Sequence, residues 1–301
     1  MIEISDLTKS FGSVKALNHI SLSIKDNEIF GLIGTNGAGK STLLRLILGI
    51  LKADTGSILL DEKPVGDDPL QKEQFFFVPD DPYFLPNATL LSMCGYYRQL
   101  YRNFDTERFE HLAEAFSLDL HRPIRGFSRG MKRQTALILG LSAGTRYLIC
   151  DETFDGLDPV VRQAVKSLFA SDMTERDFTP IIASHNLREL EDICDHVGLL
   201  HRGGILLSEN INDMKLESLK LQCVFEKERD ADAAFSSLKI VKQETRGRLH
   251  TLVVRGTEDE IRHAFAPYPT IFLEMLPLTL EEIFISETEV AGYDVRSLIF
   301  E

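Results

Sequence analysis

No apolar run in this 301-residue sequence approaches the roughly 18–20 residues that a helix needs to cross a bilayer. The greasiest stretch, Leu43 to Leu51, is short and is interrupted by Arg45. The first residues already carry a strand-like pattern and show no secretory leader. A cytoplasmic location is therefore expected, and any membrane role would be peripheral, on the inner face, through a partner. Positive charge is also scarce: 33 Lys and Arg stand against 46 Asp and Glu, a net charge of −13. That balance argues against a nucleic-acid partner, which is held by fields of Lys and Arg. It leaves nucleotide phosphates open, because backbone N–H groups and one or two cations hold them locally. The four cysteines, Cys94, Cys150, Cys194 and Cys223, lie far apart and form no C-x-x-C, so neither a zinc site nor a disulfide framework is expected. They read as reduced core residues. Internal repeats and low-complexity stretches are absent too.

What is present suits a globular protein of two domains. Hydrophobic residues make up 44% and charged residues 26%, and the length suffices for two cores. Residues 2–9 and 17–24 alternate apolar and polar side chains, as half-buried strands do. Glu28 to Ile33 is apolar after its first residue and reads as a buried strand, with a glycine-rich loop and an apolar helix (Leu43, Leu44, Leu46, Ile47, Leu48) after it. Gly56–Leu60, Phe75–Val78, Tyr147–Cys150 and Thr179–Ala183 read as further strands. From about 88 to 143 the period becomes helical, with Leu90, Met93, Tyr97 and Leu100 on one face and Phe109, Leu112, Ala113 and Phe116 on another. The β-α alternation around 147–193 predicts a mostly parallel sheet. Val197–Leu200 and Ile205–Leu207 flank Arg202-Gly203-Gly204 as a hairpin. After about Asp213 the order β-α-β-β-α-β suggests a small split-βαβ domain. The expected domains are thus 1–212, with a helical insert near 88–143, and 213–301.

The sharpest chemical signal is Gly34-Thr35-Asn36-Gly37-Ala38-Gly39-Lys40-Ser41-Thr42, which fits G-x-x-x-x-G-K-[ST] between a strand and a helix. The glycines let backbone N–H groups converge on phosphates, and the helix N-terminus adds positive potential. Lys40 is expected on the β- and γ-phosphates of ATP, and the Ser41 hydroxyl on Mg²⁺. The second signal is Leu148-Ile149-Cys150-Asp151-Glu152, a buried strand ending in two carboxylates. Strand residues alternate sides, so Asp151 is expected in the Mg²⁺ sphere and Glu152 toward the water that attacks the γ-phosphate.

Further pieces follow in order. Phe127-Ser128-Arg129-Gly130-Met131 resembles the LSGGQ signature of ATP-binding cassette (ABC) ATPases, and Phe154-Asp155-Gly156-Leu157-Asp158 resembles their D-loop. Ala183-Ser184-His185 resembles their switch-histidine motif, and Phe11 sits where the family has an aromatic that stacks on adenine. The resemblance covers residues 1 to about 210. It implies an α/β fold: a P-loop NTPase core with a mixed, mainly parallel sheet, antiparallel N-terminal strands and a helical insert, to which a small α+β C-terminal domain is added. It implies a MgATP-hydrolysing subunit that drives a separate transmembrane permease by ATP-dependent closure of a homodimer, or of a heterodimer with a related ATPase. Ser128 and Gly130 would close over the γ-phosphate bound to the opposite subunit, His185 would contact that phosphate, and Asp158 would bridge the dimer seam. Asp158 also reads as a helix N-cap before Pro159, His185 as a core histidine and Phe11 as ordinary packing. Three departures stand out: Asp80 where the family often has Gln, Arg129 and Met131 within the signature, and Thr153 in place of a proline. A carboxylate at 80 could still approach Mg²⁺ but cannot donate as an amide does. Ser-x-Gly-Met-Lys, Val-Pro-Asp and the added C-terminal domain resemble the bacterial subgroup that serves ABC-2-type export permeases. Other ABC ATPases work in translation or DNA repair, but the tandem cassettes, basic linker or long coiled coil of those factors are not seen. A module that holds ATP without using it is the remaining reading.

Overall fold

The computed structural model describes residues 1–290, so residues 291–301 of the expected C-terminal domain lie outside the described residues. The chain divides into two compact units, Met1–Ser208 and a second that begins at Glu209. The sequence pattern places the division a few residues later, after 212. In chain order the first unit runs β1 (Ile2–Phe11), β2 (Val14–Ile24), β3 (Phe30–Ile33), α1 (Lys40–Ile47), β4 (Thr55–Leu60), β5 (Lys63–Pro64), α2 (Pro69–Lys72), β6 (Phe75–Val78), α3 (Leu90–Leu100), α4 (Thr106–Ala115), α5 (Arg129–Ser142), β7 (Tyr147–Asp151), α6 (Pro159–Glu175), β8 (Thr179–Ser184), α7 (Leu187–Ile193), β9 (His196–His201) and β10 (Gly204–Asn210).

Two sheets form from these strands. One is antiparallel, in the order β2-β1-β4-β5, and the other follows β10-β9-β3-β8-β7-β6. In the second, β9, β3, β8, β7 and β6 are parallel neighbours. Every residue of β3, β7 and β8 is buried, which is why these segments are apolar runs without alternation: a central parallel strand is covered on both faces. β1 and β2 keep one wet face, and their alternation survives a register shift between Ile4 and Leu7, where Asp6 turns left-handed at φ +51°. The core between the sheets gathers Ile2, Leu7, Leu17 and Ile20 with Leu43, Leu44, Leu46 and Ile47 of α1 and Ile149 and Ile181 of the parallel strands. β9 turns into β10 through Arg202 and Gly203, both at positive φ, as a two-residue hairpin requires.

The helical stretch falls where the period changes. Thr89 and Ser92 cap α3 reciprocally, Asp105 caps α4 and Ser128 caps α5. α3 buries Leu90, Met93 and Cys94, but Leu100 at the end of its expected apolar face is exposed. α5 is buried almost throughout from Thr135 onward.

The second unit runs α8 (Ile211–Glu217), β11 (Ser218–Phe225), α9 (Asp230–Phe235), β12 (Lys239–Arg246), β13 (Leu249–Arg255), α10 (Glu258–Phe265), β14 (Thr270–Pro277) and α11 (Leu280–Val290). Its sheet is antiparallel, in the order β12-β13-β11-β14. Leu221, Cys223, Phe225, Leu252 and Val254 of the sheet pack with Ala231, Phe235, Ile261 and Phe265 of α9 and α10. All four cysteines are free and buried, and burial pushes the Cys223 thiol up to about 11. No described helix is long and apolar enough to cross a membrane.

Candidate nucleotide site

The loop between β3 and α1 is shaped by its glycines. Gly34 lies so close to β9 that an added Cβ would stand 2.5 Å from the Leu200 carbonyl oxygen. Gly39 sits at φ +110°, and a Cβ there would stand 2.5 Å from the Ala16 carbonyl oxygen. Gly39 takes the N-cap place of α1 without any side-chain cap, so the first-turn N–H groups are left for a ligand. The Ala38 N–H donates to the Thr35 carbonyl at 3.1 Å, while Thr35, Asn36 and Gly37 form an exposed crest. Ser41 and Thr42 occupy the first turn of α1.

Lys40 is only 5% exposed. Its Nζ donates to the Gly34 carbonyl at 2.8 Å and the Thr35 carbonyl at 3.3 Å, and it pairs with Glu152 Oε1 at 3.0 Å. The ammonium is thus centred in the loop, with a carboxylate as its anion.

Asp151, the last residue of β7, is 4% exposed, and its Oδ1 has no hydrogen-bond partner. Burial pushes its carboxyl above the usual range, and the Ser41 hydroxyl, which hydrogen-bonds it, offsets that only in part. A buried carboxylate with one satisfied and one orphaned oxygen beside a serine hydroxyl is a strained arrangement for a bare protein. Two oxygens of this kind at a P-loop are the hard donors that a magnesium ion takes.

Glu152 leaves the strand by a different route from the one expected. Its backbone is left-handed, φ +51°, so a turn and not strand alternation directs the side chain. Such a conformation costs on the order of 1–2 kcal/mol in a non-glycine residue. It is held by the Glu152 N–H on the Ala183 carbonyl at 2.9 Å, and the following Thr153 hydroxyl donates to the Val78 carbonyl at 3.1 Å. Thr153, the residue in place of the family's proline, therefore ties this turn to β6. Burial tends to raise the Glu152 carboxyl, but the Lys40 hydrogen bond and charge, with His185, hold it below its ordinary value. The His185 Nδ1 lies 2.7 Å from Glu152 Oε2 and 3.3 Å from Asp155 Oδ2. The three side chains carry ligand atoms within 4.8 Å of one another, as a cation site does. The group is already paired internally, however, with Lys40 and His185 on Glu152.

A cleft of about 490 Å³ opens over these groups, and Asn36, Glu152, Asp155 and His185 line it together with Asp80, Arg129, Gly130 and Arg133. Ser128 sits just outside as the N-cap of α5, where its hydroxyl accepts from the Met131 N–H at 3.2 Å. Asp158 caps α6: its Oδ1 accepts from the Val160 and Val161 N–H groups at 3.0 and 2.9 Å, and Pro159 takes the first helical position. Phe11 is 49% exposed at the end of β1, with the Lys9 ammonium 5.6 Å from its ring centroid, so it is not core packing.

The structure gives Asp80 two arginine partners: its Oδ1 accepts from Arg129 Nη2 at 3.0 Å and from Arg133 Nη2, and the Arg133 Nε donates to its carbonyl at 3.3 Å. The reason is electrostatic: two guanidiniums on the first turns of α5 claim the carboxylate, a pull that a neutral amide would not feel. Arg133, 2% exposed, was invisible in sequence because one arginine in a Lys-Arg-Gln run suggests a solvated side chain. Sequence reasoning also missed Asp155, which lies inside the D-loop stretch without a distinguishing signal of its own.

The sequence and the fold are similar to those of known proteins. The ABC transporter family model matches residues 17–155. The ABC transporter ATP-binding protein YtrB of Bacillus subtilis (strain 168) is 30% identical over 95% of this chain and 98% of its own length. The bacitracin transport ATP-binding protein BcrA of Bacillus licheniformis is 30% identical over 73% of each chain. A solved ATP-binding subunit of an ABC transporter superposes with a TM-score of 0.65 at 25% identity, over 71% of this chain and 92% of that one. With a phosphate loop, a buried Asp-Glu pair and a facing histidine on this cassette fold, the chain belongs to the ATP-binding proteins of ABC transporters, and it is an ATPase.

Proposed function

We propose that this chain is the motor of a transporter whose membrane-spanning permease is a separate protein, that it works as a dimer on the cytoplasmic face, and that it drives export. The observation that carries the reading is the orphaned, buried Asp151 Oδ1 beside Ser41, with Lys40, Glu152 and His185 in one hydrogen-bonded file above the phosphate loop. Ser41 and Asp151 would hold Mg²⁺, which when bound neutralises charge on the phosphate oxygens. ATP enters as substrate. Its phosphates take over the first-turn N–H groups of α1 and the Lys40 ammonium, which frees Glu152 from that ion pair. The freed carboxylate, still hydrogen-bonded to His185, is placed to orient a water and accept its proton. Phe11, half-exposed and bearing a cation at its face, suits an adenine stack.

One chain supplies one phosphate loop and one signature. Ser128 and Gly130 open α5 toward the cleft, a helix N-terminus able to take an anion, and in an isologous pair they would meet the γ-phosphate on the other chain. Asp158 would lie at that seam. A relative named for a lipopolysaccharide export system, 27% identical over 68% of this chain, supports an export role. A net charge of −13 argues against a nucleic-acid partner.

The test is Glu152→Gln. It should keep ATP binding, as read by calorimetry, and lower steady-state phosphate release by about 10²-fold or more, the usual share of a general base. Wild-type turnover in that variant would overturn the assignment. Absence of phosphate release from the wild-type chain with its permease would favour a passive ATP-binding module instead.

A further inference from the structure

Arg129 and Arg133 share one carboxylate, and the two guanidiniums are held very differently. Arg129 opens α5 and its side chain is 70% exposed. Its hydrogen bond to Asp80 Oδ1, from Nη2 at 3.0 Å, uses one of five N–H donors. Arg133, one turn further along α5, is 2% exposed and grips the same Oδ1 through Nη2 and the Asp80 carbonyl through Nε. The Arg133 Nη1 makes no hydrogen bond among the described residues; it stands 3.4 Å from where a Gly156 Cβ would be, and both residues line the cleft. Two guanidiniums on one carboxylate leave one positive charge uncompensated, with unused donors, in the cleft wall beside Gly130. That combination, more than the helix start itself, points to an anion.

Arg133 is enclosed, so it needs the Asp80 charge to stay where it is. Arg129 stands in water, where an ion pair is weak, and leaving Asp80 costs it little. A terminal phosphate carries more charge than a carboxylate and accepts from both arms of the guanidinium fork, whereas Asp80 Oδ1 takes only one.

We propose that Arg129 is a further anion-binding residue of the signature: it rests on Asp80 in the free chain and passes to the γ-phosphate of ATP held by a second copy of this chain, so that Asp80 competes with that phosphate. This rests on the reading of the chain as an ATP-paired dimer. Ser128 and Gly130 would bring a hydroxyl and backbone N–H groups to the phosphate, and Arg129 adds a full charge. Asp80 also has a restraining part. An unpaired guanidinium here would be drawn to Glu152 or Asp155, which line the same cleft, and Asp80 holds it off them until phosphate arrives.

The test uses the full-length Glu152→Gln chain with ATP and Mg²⁺ and reads the concentration at half-dimerisation by light scattering. ATP affinity is measured alongside on chain dilute enough to stay single. Arg129→Ala should raise the half-dimerisation concentration at least about tenfold, because each dimer loses two charge-assisted contacts. Single chains should still bind ATP within about twofold of the parent, since the Arg129 hydrogen bond goes to Asp80 and not to the phosphate loop. Asp80→Asn keeps an oxygen for Arg133 but removes the competing charge, and should tighten pairing about threefold. Arg129→Ala added to Asp80→Asn should erase that gain. Pairing unchanged in Arg129→Ala would overturn the proposal. So would an equal loss of ATP affinity in single chains, which would make the arginine a ligand of its own chain's nucleotide. Pairing unchanged or weakened in Asp80→Asn would overturn the competition. If Asp80→Asn does not fold, the Arg129→Ala result alone supports or overturns the proposal. A parent chain that never pairs with ATP would sink the dimer reading and this proposal together; the other adverse outcomes strike this proposal alone.

Discussion

At the scale of single residues, the site is built from conformations that most side chains avoid. Gly39 needs φ +110° and has the Ala16 carbonyl and Leu17 side chain where a Cβ would stand. Gly37 needs φ +81° but has open space around it. Substitution by alanine should separate strain from clash. Gly37→Ala should lower unfolding free energy by about 1–2 kcal/mol, the left-handed term alone. Gly39→Ala should cost more, about 3 kcal/mol or above, since it adds overpacking, and it should also weaken ATP binding. Urea unfolding of the two variants checks the order; equal losses would mean that the Ala16 backbone yields. Glu152 is the contrasting case, a non-glycine residue kept left-handed because its side chain joins Lys40 to His185. Strain held in place by charge partners at a reacting centre is where such conformations tend to be found.

At the scale of elements, helix starts carry both stability and function. α1 starts without a side-chain cap, which leaves its N–H groups for phosphate. α5 starts with Ser128, whose hydroxyl caps the helix and also faces outward. α6 starts with Asp158 accepting two N–H bonds. Asp158→Ala should therefore cost about 1 kcal/mol in unfolding free energy, and Asp158→Ser should recover most of it, serine being an equally good cap. If Asp158 also bridges the seam, ATP-dependent pairing of chains will remain weak in the serine variant although its stability has returned. Denaturation and light scattering read these two effects separately, and normal pairing in Asp158→Ser would leave the residue as a cap alone.

At the scale of the whole molecule, each of the two units has its own core, and the nucleotide chemistry described above lies in the first. A single chain holds one phosphate loop and one signature, so two composite sites require two chains. The Glu152→Gln chain with ATP and Mg²⁺ should run at twice the monomer mass in light scattering, because nucleotide is bound and not consumed. The same chain carrying Lys40→Ala as well should stay at monomer mass. A dimer that forms equally well without ATP would remove nucleotide as the agent of closure.

Much of this was legible in the residues themselves. The parallel strands announce themselves as unbroken apolar runs, and β6 falls on the predicted residues, because burial on both faces leaves a pattern in the chain. The phosphate loop, Asp151 and Glu152 were readable as candidates from local pattern, and His185 only through the resemblance to the family. Their meeting was not, since Lys40, Glu152 and His185 come from three crossovers of one sheet. Folding alone decided that Asp80 would answer to Arg129 and Arg133, that Glu152 would turn left-handed, and that Asp155 would lie 3.3 Å from the His185 ring. Each of these depends on which charges tertiary packing brings within hydrogen-bond reach, and no periodicity along the chain records that distance.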